Sequence, residues 1–399
     1  MKKVFAFHVI AKFIWQLRGT QTRYCSFPEF ELRKNEKNMK KANKTSFTKK
    51  LLLWFDTNER PLPWKGEKNP YYIWLSEIIL QQTRVAQGLP YFEKFKKHFP
   101  QVKDLADATE DTVMKLWEGL GYYSRARNLH TTAKFIAYEL AGVFPTTHEE
   151  ILKLKGVGPY TAAAISSFAY NLPHAVVDGN VYRVLSRVFG IDTPIDTTLG
   201  KKQFAALAAE LLATKQAGKY NQAIMDFGAT QCLPANPTCT TCPLQKQCVA
   251  FATQKISSLP VKSKKIKKRD RYFNYLVLKA ESTILIHKRT EKDIWQNLYD
   301  FPLIEAAQLM NKEAIIANEF FQKLVGKQAY TLTKTSKPFK QLLTHQKIMA
   351  VFWEFTLNKP IKNIPANFIL TNQKNIPNFA FPKIIDWYLK DKSLYLELF

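Results

Sequence analysis

Hydrophobic spacing changes once along this chain of 399 residues, and that change constrains the fold more than any other feature. From Ser46 to about residue 250, apolar residues recur three and four positions apart, as in FTKKLLLWFD, NPYYIWLSEIILQQTR, EDTVMKLWEGLG and SRARNLHTTAKFIAYEL. One face of a helix repeats at that interval. Pro100, Gly121, Pro145, Gly156 and Gly158 punctuate the segments, so residues 46–250 are predicted as an all-α domain of short helices. After residue 271 the period becomes two, in YFNYLVLKA, STILIHKRT and the long stretch ending KIMAVFWEFTL. Alternation of that kind is a half-buried strand. Residues 272–399 are therefore predicted as a separate α+β domain closed by a short helix at IIDWYLK. Between the two, residues 251–271 carry Pro260 and seven Lys or Arg from Lys262 to Arg271. They read as an exposed basic linker.

The first 45 residues follow neither period. MKKVFAFHVIAKFIW imitates a secretory signal, but His8 and Lys12 interrupt its apolar run and no small-residue cleavage site follows. Residues 1–45 are expected to be a disordered extension, and Met39 is an alternative start that would leave 1–38 as a mistranslated leader. No run of 18 apolar residues occurs, so a spanning helix is not expected. The formal charge is +26. Such an excess favours a polyanion, nucleic acid before an anionic membrane surface.

Four of the five cysteines fall in QCLPANPTCTTCPLQKQC, as Cys232, Cys239, Cys242 and Cys248, with six, two and five residues between them. Four thiolates so close in sequence, in a loop held open by Pro234, Pro237 and Pro243, are expected to wrap one metal centre rather than to pair as disulfides. Zinc and iron both remain open on this ground. The single short spacing flanked by longer ones suits a [4Fe-4S] cluster better than two zinc knuckles.

The segment LKGVGPYTAAAI sets a Gly-Val-Gly turn, Gly156 to Gly158, ahead of a small-residue helix. Free backbone N–H groups there can hold a phosphate, and glycines let a DNA backbone approach. Two carboxylates stand out by their settings. Glu77 shares a helical stripe with Ile73, Ser76 and Leu80, so it is expected to point inward, where desolvation raises its pKa and makes it a proton donor near neutrality. Asp178 precedes Gly179 and Asn180 at a helix start, where an N-cap carboxylate stays ionised. One protonated and one charged carboxyl is the division of labour that cleaves a C–N glycosidic bond. Tyr160 and Asn180 are candidates to orient the pair. Gln81, Gln82, Thr83 and Arg84, just beyond Glu77, are candidates to fill the gap left by a flipped nucleotide or to hydrogen-bond bases.

Together the hairpin LKGVGPYTAAAI, the strings WLSEIILQQTR and VVDGNVYRVLSR and the four-cysteine loop closely resemble the MutY family of adenine DNA glycosylases. The resemblance spans residues 50–250 and extends through the C-terminal region. It implies an all-α helix-hairpin-helix glycosylase core of two helical modules with a cleft between them and a [4Fe-4S] cluster loop at 232–248, followed by an α+β MutT-like (Nudix-like) domain that reads 8-oxoguanine. It implies excision of adenine opposite 8-oxoguanine or guanine in double-stranded DNA, by a monomer without membrane attachment, on the bacterial nucleoid in the cytoplasm. Glu77 would protonate adenine at N7, Asp178 would face the oxocarbenium-like sugar, and Tyr160 and Asn180 would support them. The related endonuclease III type carries a lysine nucleophile where this chain has Tyr160. Tyrosine forms no Schiff base, so the expected enzyme is monofunctional.

Further matches place Arg60, Leu62 and Trp64 against the lesion strand and Gln82 beside 8-oxoguanine. Lys65 stands where many members have arginine, and it lacks arginine's planar fork. Leu343, Thr344 and His345 replace the family's Phe-Ser-His lesion-reading loop, keeping hydroxyl and imidazole but not the ring. The MutT-like region lacks the acidic magnesium signature, so pyrophosphate hydrolysis is not expected. Two alternatives remain at this point: an endonuclease III-like glycosylase with another damaged base as substrate, and a noncatalytic DNA-binding protein.

Overall fold

A computed structural model describes residues 29–263, 267–362 and 364–391, with side chains from Lys44 onward. The chain divides into two units at Phe47, and the second, from Thr48 onward, holds the sheet and every described helix except most of the first. Helix α1 runs Glu29–Asn58, so residues 29–45 are helical where the sequence pattern led to an expectation of disorder. Polar, lysine-rich stretches with good helix propensity carry no apolar stripe, and periodicity alone misses them. The remainder of that expectation, residues 1–28, lies outside the described residues.

Helix α2, Pro70–Leu80, is the centre of the helical part. Asn69 caps it by accepting from the Tyr71 N–H, and Pro70 opens it at the position where a missing N–H costs nothing. Eight of its residues are buried, Glu77 among them. Around it lie α3 (Val85–His98), α4 (Val102–Asp107), α5 (Glu110–Trp117) and α6 (Ser124–Lys134). Helices α7 (His148–Lys153) and α8 (Pro159–Tyr170) form the predicted hairpin. Gly156 is required there, with φ +82° and an added Cβ only 2.8 Å from the Asn128 Cβ. An added Cβ at Gly158 meets nothing, so packing alone does not explain that glycine. Helices α9 (Gly179–Phe189), α10 (Thr198–Leu211) and α11 (Ala217–Asp226) follow. A π-helical turn, Phe227–Gln231, leads into the cysteine loop, and the short α12 (Val249–Ala252) closes it.

The C-terminal sheet is mixed and eight-stranded. Strands β1 (Arg269–Ala280), β2 (Thr283–Lys288), β3 (Tyr299–Asp300), β5 (Tyr330–Thr335) and β7 (Gln346–Leu357) run in the order β3-β2-β1-β7-β5. Strands β4 (Leu303–Ala306), β6 (Phe339–Leu342) and β8 (Phe368–Asn372) pair with β1, β7 and β2 respectively. The central pair is parallel, Arg269 facing Gln346 through Lys279 facing Thr356. Period-two alternation sends Phe273, Tyr275 and Val277 into one apolar core, and Leu276 and Leu278 into another. The first core includes α15 (Lys383–Lys390), whose Tyr388 stacks on Phe352 at 3.9 Å. Helices α13 (Lys312–Ala317) and α14 (Glu319–Val325) cover the second face.

The basic segment is less free than its composition suggested. The Leu259 carbonyl accepts from Arg187 Nε at 3.1 Å, the Val261 carbonyl accepts from the Ile195 N–H, and Ser263 binds Asp196. Strand β1 already begins at Arg269, and Arg271 is buried between Asp293 and Glu305. Helices and sheet also share polar contacts. Asp111 takes Lys288 at 2.8 Å and the Tyr299 hydroxyl at 3.0 Å, and Glu118 takes the Phe381 N–H at 2.8 Å.

Candidate active site

Glu77 lies mid-helix in α2 and is 6% exposed. Burial pushes its carboxyl up to about 7; the facing Tyr160 hydroxyl offsets part of this and the charge of Asp178 adds to it. Tyr160, near the start of α8, is pushed well up by burial and by the charges of Glu77 and Asp178. The three predicted groups therefore face one another although about a hundred residues separate the first from the last. The Tyr160 hydroxyl also reaches the Met225 sulfur at 3.8 Å.

Asp178 is the N-cap of α9. Its Oδ1 accepts from the Val181 N–H and its Oδ2 from Asn180 Nδ2, both at 2.8 Å. Burial raises its pKa, and these bonds together with Arg183 pull it back toward the ionised form. Asn180 Oδ1 in turn accepts from Arg183 Nη2 at 2.7 Å, and Arg183 also donates to the carbonyls of Gly228 and Cys232. Asn180 is thus locked on both sides. Arg183 was not foreseen, although its position three residues after Asn180 puts both on one helix face.

A cavity of about 400 Å³ opens beside Glu77. Its lining includes Arg60, Leu62, Trp64, Lys65, Met225 and Asp226. Leu62 lines this space rather than a separate core, and Trp64 packs edge-on against Phe92 at 5.3 Å. Two of the three cations predicted to meet DNA, Arg60 and Lys65, are turned inward. Arg60 bonds Asp226 through Nε at 2.7 Å and Nη2 at 2.6 Å, Lys65 pairs with the same carboxylate, and the Lys65 side chain is only 9% exposed. Asp226 was missed. Its signal was the one that exposed Glu77, a single acid in an otherwise apolar helical string, AIMDFGA.

Gln82, Thr83 and Arg84 form the turn after α2. Gln82 is exposed with φ +56°, Gln81 bonds Thr161 at 3.1 Å, and Arg84 is the exposed residue before α3. Thr344 and His345 are exposed at the tip of the β6–β7 hairpin, and the Thr344 hydroxyl meets that of Tyr122 at 2.7 Å. The predicted residues accordingly form three groups: the acid pair with its cavity, the turn at Gln82, and the hairpin tip.

The expected [4Fe-4S] site is corrected by the structure. Among the described residues no group of three or more His, Cys, Asp or Glu side chains is placed to hold a metal ion. Cys232, Cys239, Cys242 and Cys248 are free and line one largely apolar cavity of about 350 Å³. Arg187 donates to the Cys232 sulfur at 3.5 Å, and the Cys248 thiol donates to the Arg187 carbonyl at 3.4 Å. Burial pushes the Cys242 thiol up to about 11 and raises Cys239 and Cys248. That favours thiols over the thiolates that ligation requires. Sequence spacing brought the four cysteines to one cavity without making them a ligand set.

Known proteins agree with this architecture. Residues 75–210 match the HhH-GPD superfamily base excision DNA repair protein family, and residues 274–391 match the NUDIX domain. The chain is 38% identical over 349 residues to an adenine DNA glycosylase of Buchnera aphidicola subsp. Schizaphis graminum, covering 86% of this chain and 98% of that one. The chain belongs to the adenine DNA glycosylase family. A second member, from Buchnera aphidicola subsp. Acyrthosiphon pisum, is 38% identical over 64% of this chain and 73% of its own. Among solved structures, a thermostable thymine-DNA glycosylase aligns with a TM-score of 0.50 and 28% identity, over 53% of this chain and 98% of that one. Family membership agrees with an all-α helix-hairpin-helix glycosylase core followed by an α+β Nudix-like domain. No helix among the described residues is long and apolar enough to cross a membrane.

Proposed function

We propose that this member of the adenine DNA glycosylase family hydrolyses the N-glycosidic bond of adenine mispaired with 8-oxoguanine or guanine in duplex DNA, acting as a monomer and without cleaving the strand. The observation that carries this reading is the clustering of the half-buried Tyr160 and Asp178 around the buried Glu77, with the Glu77 carboxyl near 7 beside a cavity. A carboxyl half protonated at neutrality donates to the purine as the C1′–N9 electron pair moves onto the base. Asp178, held by Val181 and Asn180, stays ionised against the cationic sugar. Water then adds at C1′, and its proton returns to the Glu77 carboxylate.

Asp226 and its two cations at the cavity wall offer a carboxylate and N–H donors to the edge of an extruded base. The exposed turn at Gln82 fills the vacated stack in this reading. Gly158, with open space where a Cβ would stand, leaves the start of α8 accessible to a DNA backbone. Tyr160 provides no amine, so strand breaks should appear only after alkali.

The test is a duplex with adenine opposite 8-oxoguanine, run beside guanine-mispair and thymine-glycol duplexes. Adenine release is expected from the first two alone. Glu77→Gln should keep duplex affinity and lose ~10²-fold or more in single-turnover release. Release of thymine glycol in preference to adenine, or full activity in Glu77→Gln, would overturn the reading.

A further inference from the structure

Arg125, near the start of α6, is buried and bonds more of the chain than capping one helix requires. Its Nη1 donates to the carbonyls of Ile78 at 3.0 Å, Ile79 at 2.8 Å and Gln81 at 2.6 Å. Its Nη2 donates to the Thr83 hydroxyl at 3.2 Å and to the Gly121 carbonyl at 3.1 Å. The first two acceptors belong to the end of α2, where carbonyls lack partners in their own helix. The other three do not. Gln81 and Thr83 flank Gln82, and Gly121 precedes Tyr122.

Gln82 and Tyr122 are both exposed and both left-handed, with φ +56° and +50°. Non-glycine residues keep that conformation only where their surroundings over-determine it. One guanidinium does so for both, and it also lies 5.4 Å from the Tyr122 ring and 5.1 Å from the Trp117 ring. The Tyr122 hydroxyl meets Thr344 on the β6–β7 hairpin at 2.7 Å. A continuous path of contacts therefore runs from the hairpin tip through Tyr122 and Arg125 to the Gln82 turn.

We propose that Arg125 is a positioning residue that presents Gln82 to the gap left by an extruded base and couples that turn to the hairpin carrying Thr344. This rests on the base-extruding activity proposed above. Lysine keeps the charge but cannot serve five acceptors with one nitrogen, so Arg125→Lys is the informative variant.

The readout is the fluorescence rise of 2-aminopurine, placed opposite 8-oxoguanine, when the full-length protein binds and unstacks it. In Arg125→Lys the rise should fall by more than half, and single-turnover adenine release should fall about tenfold. Adding Gln82→Ala to Arg125→Lys should change release less than twofold, whereas Gln82→Ala alone should cost several-fold, because a displaced turn has little left to lose. Thr83→Val removes one acceptor at the exposed side of the turn and should reduce the rise about threefold, which tests the proposal should Arg125→Lys fail to melt cooperatively. A folded Arg125→Lys protein with a full fluorescence rise, or Arg125 and Gln82 effects that simply multiply, would overturn it. The fluorescence measurement needs no bond cleavage. Wild type that unstacks 2-aminopurine but releases no adenine would sink the proposed function and leave the role of Arg125 to be read from the variants.

Discussion

At the residue scale, Glu77 links stability to chemistry. A carboxyl whose pKa rises from 4.5 to about 7 on folding binds a proton in the native chain that the unfolded chain has already released. Stability then falls as pH climbs through that window, by up to about 3 kcal/mol in total. Glu77→Gln removes the titration, so its melting temperature should gain on wild type between pH 4.5 and pH 8. Parallel pH profiles for the two proteins would show that Glu77 is not desolvated as described. The same carboxyl must be protonated to donate, so base release should decline above about pH 7, while loss of the Asp178 charge sets the acid limb. The inward turn of Glu77 and the capping position of Asp178 were legible in the sequence because an acid in an apolar stripe and an acid before Gly-Asn are local anomalies. The contacts of Arg125 and Asp226 were not, because four of the five Arg125 acceptors lie 42 to 47 positions away and the two cations on Asp226 lie 161 and 166 away.

At the element scale, the site depends on how closely the turn Phe227–Gln231 approaches α9. An added Cβ on Gly228 would stand 2.6 Å from the Asn180 Cβ and 3.1 Å from its Cα and carbonyl oxygen. Neither is the free end of a side chain, so backbone would have to move. Gly228→Ala should destabilise the protein by ~1–3 kcal/mol. It should also slow adenine release beyond what its melting temperature accounts for, since Asn180 carries the bond to Asp178. Unchanged single-turnover rates in a folded Gly228→Ala protein would contradict that packing. Element types were largely readable, because periods of 3.6 and 2 come directly from side-chain direction. Their edges were less so: β1 takes in Arg269 and Arg271, which sequence assigned to the linker, and the half-buried Asp293 and the exposed Glu305 pair with Arg271, neutralising a charge that composition showed as free.

For the whole molecule, a formal charge of +26 leaves a cationic surface even after Arg60, Lys65, Arg125 and Arg271 are turned inward. Duplex affinity should therefore fall by about 10³-fold or more between 50 and 200 mM salt, if about six or more phosphates are neutralised. A titration showing little salt dependence would mean that base contacts, rather than counterion release, dominate binding. Helices and sheet meet through the Asp111, Glu118 and Tyr122 contacts, none of which any local pattern foretold.

The order of the two architectures, the hairpin, the local setting of each acid and the motifs behind the family resemblance were all present in the linear sequence, since each shows in a short stretch of neighbouring side chains. Only the tertiary structure decided that Arg60 and Lys65 turn onto Asp226, that Asp226 walls the cavity, and that four closely spaced cysteines do not form a ligand set among the described residues. Those outcomes turn on burial and on partners brought together from distant parts of the chain. Spacing along a sequence specifies neither.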